Sequence, residues 1–310
     1  MQRWRGLVAR PPGWGRSVVT IGVFDGVHLG HRQIVGQAVA AAAPAGQPSV
    51  VLTFDPHPSE VVRPGTHPAL LTTTRFKAEL LEDIGVDVVQ VVPFTRELSR
   101  WTPEQFVHDL LVEGLQASAV VVGDNFRFGH KAAGDVALLA ELGRRFGFST
   151  RGVPLLRSAD GAPAYSSTLV RTLVAAGDVV GATQALTREH RVEGLVVRGD
   201  RRGRELGYPT ANLAPVPHAA VPADGVYAGR LVRADGTRLP AAISIGTNPT
   251  FDGQERRVEA FVLDWSGDLY GEAVGLDFTM RLRPTLAFDS VDELVVQMGA
   301  DVERTRLATG

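Results

Sequence analysis

The sequence predicts two domains of different class: an α/β half built on a parallel sheet, then a small antiparallel β-barrel closed by one C-terminal helix. Three observations carry this division. In the first half, short β-branched runs alternate with helical stretches, the pattern of strand–helix units that stack into a parallel sheet. From about Arg191 onward, strand-like runs follow one another through Gly- and Asp-rich turns, with no helical pattern until the end. A chain of 310 residues also has room for two domains at roughly 100–200 residues each.

The elements follow in order. Strands are expected at Val18–Phe24, Val50–Phe54, Val86–Val92 and Ala119–Gly123, with helices at Gly30–Ala43, Thr74–Ile84, Pro103–Leu115 and Asp135–Phe146. The runs SVVLTF and AVVVG are continuously apolar, as strands covered on both faces should be. In the second half, strands are expected at Gly194–Arg198, Gly225–Val232, Leu239–Ile245, Arg257–Trp265 and Ala273–Arg283. Asp235-Gly236 marks a hairpin, since both residues tolerate positive φ. Ser290 with Glu293 forms a capping box for the last helix, and Leu294, Val295 and Met298 give it an apolar side. The junction is expected within 180–190, dividing the chain into 1–183 and 184–310.

Composition narrows the function classes. There are no cysteines, which excludes disulfides, Cys-ligated zinc and thiol nucleophiles. A net charge of −2 argues against a dedicated nucleic-acid binder, and residues 191–310 offset their arginines with acids. Arginine dominates the cations; Lys77 and Lys131 are the only lysines. No apolar run approaches the roughly 18–20 residues that cross a membrane, and the basic N-terminus lacks a signal-peptide core, so a cytoplasmic protein is expected. Oligomeric state is not legible.

The first chemical site lies just past the first strand, in GVFDGVHLGH. Gly22 and Gly26 permit tight turns around Asp25. His28 and His31 share a face of a helix that opens beside them, and the free N–H groups of a helix start attract anions. On these residues alone, the pair reads as a triphosphate holder, as two surface histidines or as half of a metal site. Downstream, FDPHP contains Pro56 and Pro58, which stiffen either a loop at the ligand edge or merely a rigid turn. GDNFRFG contains Asn125, a phosphate or ribose partner or an Asx turn, and Phe128, a ring-stacking or a core residue. SSTLVR supplies Ser166 or Ser167 as a helix cap beside Thr168, and Arg171 one turn on, either able to fork onto a phosphate or engaged in a surface ion pair.

With these four segments in this order, the first half resembles the FMN adenylyltransferase half of bacterial bifunctional riboflavin kinase/FAD synthetases. The resemblance implies a Rossmann-like nucleotidyltransferase domain in which Gly22, Asp25, Gly26, Asn125, Ser167 and Thr168 bind ATP, and His28, His31 and Arg171 act catalytically. It implies flavin contacts at Pro56, Pro58 and Phe128. The reaction is attack of the FMN phosphate on the α-phosphorus of ATP. Its nucleophile is already an anion, so no general base is needed, and the work is placement and charge neutralisation.

The second half opens with VVRGDRRGRELGYPTAN. Gly199, Gly203 and Gly207 suggest a loop that wraps phosphate through backbone N–H groups, or a plain surface hairpin. Thr210 and Asn212 put two neutral oxygens on one side of an extended segment, which reads either as a donor set suited to Mg²⁺ shared with phosphate or, more cheaply, as a Pro-Thr turn. Together with PADGVYAG, IGTNPTF, RVEAFVLDW and DLYG, this order resembles the riboflavin kinase domain of the same family. The resemblance implies that Glu259 is the catalytic base, that Thr210 and Asn212 handle Mg²⁺ and ATP phosphate, and that Arg281 contacts flavin. Riboflavin presents a neutral hydroxyl, so this site needs the base that the first site does without. ATP, riboflavin, FMN and FAD are the expected small molecules.

Overall fold

A computed structural model of the chain describes residues 1–7, 11–157, 164–199, 206–247 and 256–310. Two compact units emerge: Met1–Pro68 with Thr74–Ser166, and Ala69–Thr73 with Ser167–Gly310.

The first unit is a six-stranded sheet, ordered β1-β4-β3-β2-β5-β6 and parallel throughout. Its strands are β1 (Gln2–Arg5), β2 (Ser17–Ile21), β3 (Ser49–Asp55), β4 (Val88–Pro93), β5 (Ala117–Gly123) and β6 (Ser149–Val153). The helices are α1 (Leu29–Ala42), α2 (Pro58–Val62), α3 (Thr74–Glu82), α4 (Pro103–Phe106) and α5 (Val136–Phe146). The helix expected to run from Pro103 to Leu115 is α only as far as Phe106, and Val107–Gly114 continues as a π-helix. β2 and the first five residues of β3 are buried on both faces, as their unbroken apolar runs required. β1 and β6 were not expected. Both are edge strands rich in polar residues, so pairing to β4 and β5 rather than their own pattern makes them strands.

The second unit is a closed antiparallel barrel in the order β10-β11-β8-β7-β12-β9. Its strands are β7 (His190–Val197), β8 (Thr210–Pro215), β9 (Gly225–Val232), β10 (Arg238–Thr247), β11 (Arg256–Val262) and β12 (Ala273–Arg283). Two helices, α6 (Ser167–Ala176) and α7 (Val179–Leu186), precede it, and α8 (Val291–Thr309) follows. Residues 69–73 belong to this unit because Leu70 bridges Ala219 and the Thr73 hydroxyl donates to Glu193. The core is Tyr227, Phe278, Leu231, Ile243 and their neighbours. On the face of β7 and β12 opposite the core residues Val192, Leu276 and Phe278, Arg191 grips Asp277 with a bidentate pair at 2.6 and 2.8 Å, and Arg238 adds a third bond at 3.0 Å.

Two local expectations need correcting. The hairpin between β9 and β10 forms, but only Gly236 has positive φ, at 86°. The Asp235 carboxylate accepts the Thr237 N–H at 2.9 Å, which closes the turn without a second left-handed residue. Ser290 does cap α8, accepting from the Glu293 N–H at 3.2 Å, while Glu293 reaches back to the N–H of Asp289. The fully buried residues of α8 are polar, however: Asp301, Thr305 and Thr309. Asp301 is paired with Arg283 at 2.8 Å, and the two threonines donate to carbonyls one turn back, so each buried polar group is satisfied.

Candidate active site

The order of the first sheet reverses at β2, with β3 and β4 on one side and β5 and β6 on the other. The carboxyl ends of β2 and β5 therefore flank a switch point, where open parallel sheets bind ligands. Both predicted loops start there. The chain leaves β2 through a turn with three residues at positive φ, namely Phe24 at 50°, Gly26 at 85° and Val27 at 42°. Phe24 and Val27 are accepted in that conformation because both are buried against Val35, Val51, Leu80 and Leu81. The turn delivers His28 to the N-cap of α1 in extended backbone, so the first N–H groups of α1 open beside it. His28 is 4% exposed and its ring stacks on His31, centroids 3.6 Å apart, with Phe24 edge-on to His31 at 5.2 Å. Asp25 is buried beneath the same turn.

Asn125 lies exposed in the turn after β5, and its Oδ1 packs close to Gly123. Phe128 is 5% exposed and stacks on Phe126 at 5.5 Å and near Phe106, within the core of the first unit. The Asp55–Pro56 peptide is cis, and Pro58 begins α2 behind the cap of His57, whose ring accepts from the Ser59 N–H. Tyr165 runs against the start of α1: its carbonyl lies 3.2 Å from where a Cβ on Gly30 would sit. Ser167 opens α6 and Thr168 follows it, while Arg171 donates Nε to the Ala69 carbonyl at 2.6 Å, all within the second unit.

In the barrel, β8 pairs with β11 so that Asn212 lies opposite Glu259 and Thr210 opposite Phe261. Val258, Ala260 and Val262 enter the core, and Glu259 faces the other way. The Thr210 hydroxyl donates to Glu259 Oε2 at 3.1 Å. Gly199 lies over Asn212: a Cβ there would be 2.3 Å from Asn212 Nδ2. These four residues thus form one cluster. Beside it, a cleft of about 520 Å³ is lined by Thr210, Arg198, Trp265, Asp268 and Tyr270 among others. Gly207 has φ of 85°, and Gly203 lies outside the described residues. Arg281 donates Nη2 to the Asp224 carbonyl at 2.6 Å. Phe261 meets Tyr208 edge-on at 5.2 Å.

Residues 11–168 match the family model for FAD synthetase, and residues 186–309 match the one for riboflavin kinase. The bifunctional riboflavin kinase/FMN adenylyltransferase of Escherichia coli (strain K12) is 36% identical over 284 residues, 92% of this chain and 90% of that protein. The chain belongs to the bifunctional riboflavin kinase/FMN adenylyltransferase family. The Pseudomonas fluorescens member is 37% identical over 307 residues, covering 99% of this chain and 97% of its own. A solved structure described as a macrolide-efflux protein from Streptococcus pneumoniae has a TM-score of 0.87 at 32% identity, with 99% of both chains covered. Among the described residues, no helix is long and apolar enough to cross a membrane.

One residue beside the family's first motif escaped the sequence reading. Lys77 on α3 is 6% exposed, and its Nζ donates to the Val23 carbonyl at 2.8 Å. Burial pushes its ammonium below the usual lysine range, while Asp25 and Asp55 pull it back up. The available signal was its rarity: in a chain with only two lysines, one sits between Phe76 and Ala78 on an apolar helix face.

The close fit of Gly199 on Asn212 gives a direct check on whether this cluster serves phosphoryl transfer. Gly199→Ala is expected to displace the Asn212 amide and lower the riboflavin kinase kcat on the order of 10²-fold, as misplacement by about an ångström does. Conversion of added FMN to FAD should stay within twofold, with both rates read by chromatography.

Proposed function

We propose that the family's two activities occupy two separate sites in this chain, each equipped for its own nucleophile. The chain is a transferase that phosphorylates riboflavin to FMN with ATP, then adenylylates FMN to FAD with a second ATP and releases pyrophosphate. The observation that carries the site assignment is the clustering of Thr210, Asn212, Glu259 and Gly199 on the barrel.

In the kinase site Glu259 takes the proton of the riboflavin hydroxyl as its oxygen attacks the γ-phosphorus of ATP, and ADP leaves. Gly199 and Gly207 supply backbone N–H groups to the phosphates, and Arg281 contributes to flavin binding. The adjoining cleft, with Arg198, Trp265 and Tyr270, suits a planar base on a charged chain. A Mg²⁺ ion fits the donor set, because Thr210 and Asn212 offer hard neutral oxygens and Mg²⁺ takes its remaining ligands from phosphate and water. When bound it supplies neutralisation of phosphate charge.

In the adenylyltransferase site an FMN phosphate oxygen bonds to the α-phosphorus of ATP, and the bond to the β-phosphate oxygen breaks. No base is required. His28, His31 and the start of α1 hold the triphosphate, with Gly22, Asp25, Gly26 and Asn125 shaping its bed. Ser167, Thr168 and Arg171 serve the same reaction, and Pro56 and Pro58 form the flavin side, whereas Phe128 packs on Phe126 within the core and is not assigned to flavin. The functional boundary is proposed at 183/184, which falls between the end of the FAD synthetase match at residue 168 and the start of the riboflavin kinase match at residue 186. Dependence on ATP for both steps fits a cytoplasmic setting.

The test supplies riboflavin, ATP and MgCl₂ and follows flavins by chromatography. FMN should rise first and FAD afterwards, and excess EDTA should stop both. Turnover that persists in EDTA would overturn the Mg²⁺ assignment. If added FMN were not converted while riboflavin still yielded FMN, the adenylyltransferase site would be misassigned.

A further inference from the structure

The turn between β2 and α1 is costly to hold. Phe24 and Val27 sit at φ of 50° and 42°, a region that disfavours a β-branched residue most strongly. Such conformations are strained and persist only where the surroundings over-determine them. Hydrophobic burial fixes the two side chains, but the backbone needs its own anchor. The Val23 carbonyl, immediately before Phe24, is that anchor point. It accepts from Thr53 Oγ1 at 3.0 Å and from Lys77 Nζ at 2.8 Å. Thr53 belongs to β3 and Lys77 to α3, so two neighbouring elements converge on one carbonyl. Lys77 also lies in the electrostatic field of Asp25, within the turn, and of Asp55, at the end of β3.

A buried lysine is an expensive way to satisfy one carbonyl, since water or a hydroxyl would do the same at a smaller desolvation cost. What an ammonium adds is a donor drawn toward the buried Asp25 carboxylate, in a turn that on the proposed reading faces the ATP triphosphate. We propose that Lys77 is a positioning residue for adenylyl transfer: it clamps the Val23 carbonyl and so holds the turn that presents His28 and His31. It acts through that turn and need not touch substrate. The inference rests on the reading of this turn as the adenylyltransferase site.

The absence of cysteine makes an incisive test available. Lys77→Cys introduces the chain's only thiol, which is alkylated in denaturant with 2-bromoethylamine, restoring an ammonium of nearly native reach, or with iodoacetamide as a neutral control. After refolding, riboflavin kinase activity in each preparation reports recovery of the chain. FAD formation from FMN should fall on the order of 10²-fold in kcat for the untreated and iodoacetamide-treated variant. The aminoethylated variant should recover to within about tenfold of the parent, with ATP KM moving less than kcat throughout. Lys77→Met, made without chemistry, should reproduce the loss with kinase activity intact. The inference is overturned if Lys77→Met keeps its FAD-forming kcat within threefold, if it loses kinase activity as well, or if aminoethylation restores nothing in refolded protein. Retention of FAD formation by the His28→Ala, His31→Ala double variant would instead sink the site reading beneath it, so the two failures are separable.

Discussion

Glu259→Gln is expected to lower the riboflavin kinase kcat by about 10²–10⁴-fold, the usual contribution of a positioned general base. At the glutamine the side-chain oxygen still accepts from Thr210, so the 3.1 Å contact and the β8–β11 register can survive. What is lost is only the ability to take a proton from a neutral hydroxyl. In free energy this is roughly 3–5 kcal/mol of transition-state stabilisation. Riboflavin KM should change little, because a base acts on the transition state rather than on binding. FMN added directly should be turned into FAD at the parent rate. A kinase kcat within fivefold of the parent would remove Glu259 from the role of base.

His28→Ala combined with His31→Ala should invert that pattern. Starting from riboflavin, FMN should accumulate, and FAD formation should fall by at least about 10³-fold, since loss of even one donor aimed at developing charge typically costs 10²–10³-fold. The stacked rings sit directly at the start of α1, so their loss removes two polar groups from the proposed triphosphate site while leaving the helix itself in place. Because His28 is buried, the double variant also leaves a void, and kinase activity together with the melting curve separates that effect from chemistry. FAD formation within tenfold of the parent would show that the histidines do not hold the triphosphate.

How far these sites were legible depends on how local their signals are. The GVFDGVHLGH turn was readable because glycine, two histidines and a following helix all lie within ten residues, and the structure keeps them in that order between β2 and α1. Thr210 and Asn212 were recognisable as alternating donors, yet the strand that carries them, β8, was not. TANLAP has a weak strand pattern of its own, with a proline at its end, and becomes a strand because β7 and β11 pair with it on both sides. That pairing, rather than spacing along the chain, puts Asn212 opposite Glu259, 47 positions later. Phe128 shows the same limit from the other side. An aromatic in a motif carries no mark of whether it stacks on a ligand or on Phe126, and here it is Phe126 that it meets.

By itself, the sequence determined the α/β half, the barrel half, the closing helix and the two chemical motifs, because periodicity, turn residues and short-range spacing encode all of these. Tertiary structure alone decided the edge strands β1 and β6, the polar docking of α8 through Arg283 and Asp301, the contact of Gly199 with Asn212, and the burial of Lys77 beneath the Val23 carbonyl. Each of these depends on which distant residue arrives as a neighbour. Pairing partners, desolvation and charge fields are properties of that arrival, and no window along the chain contains them.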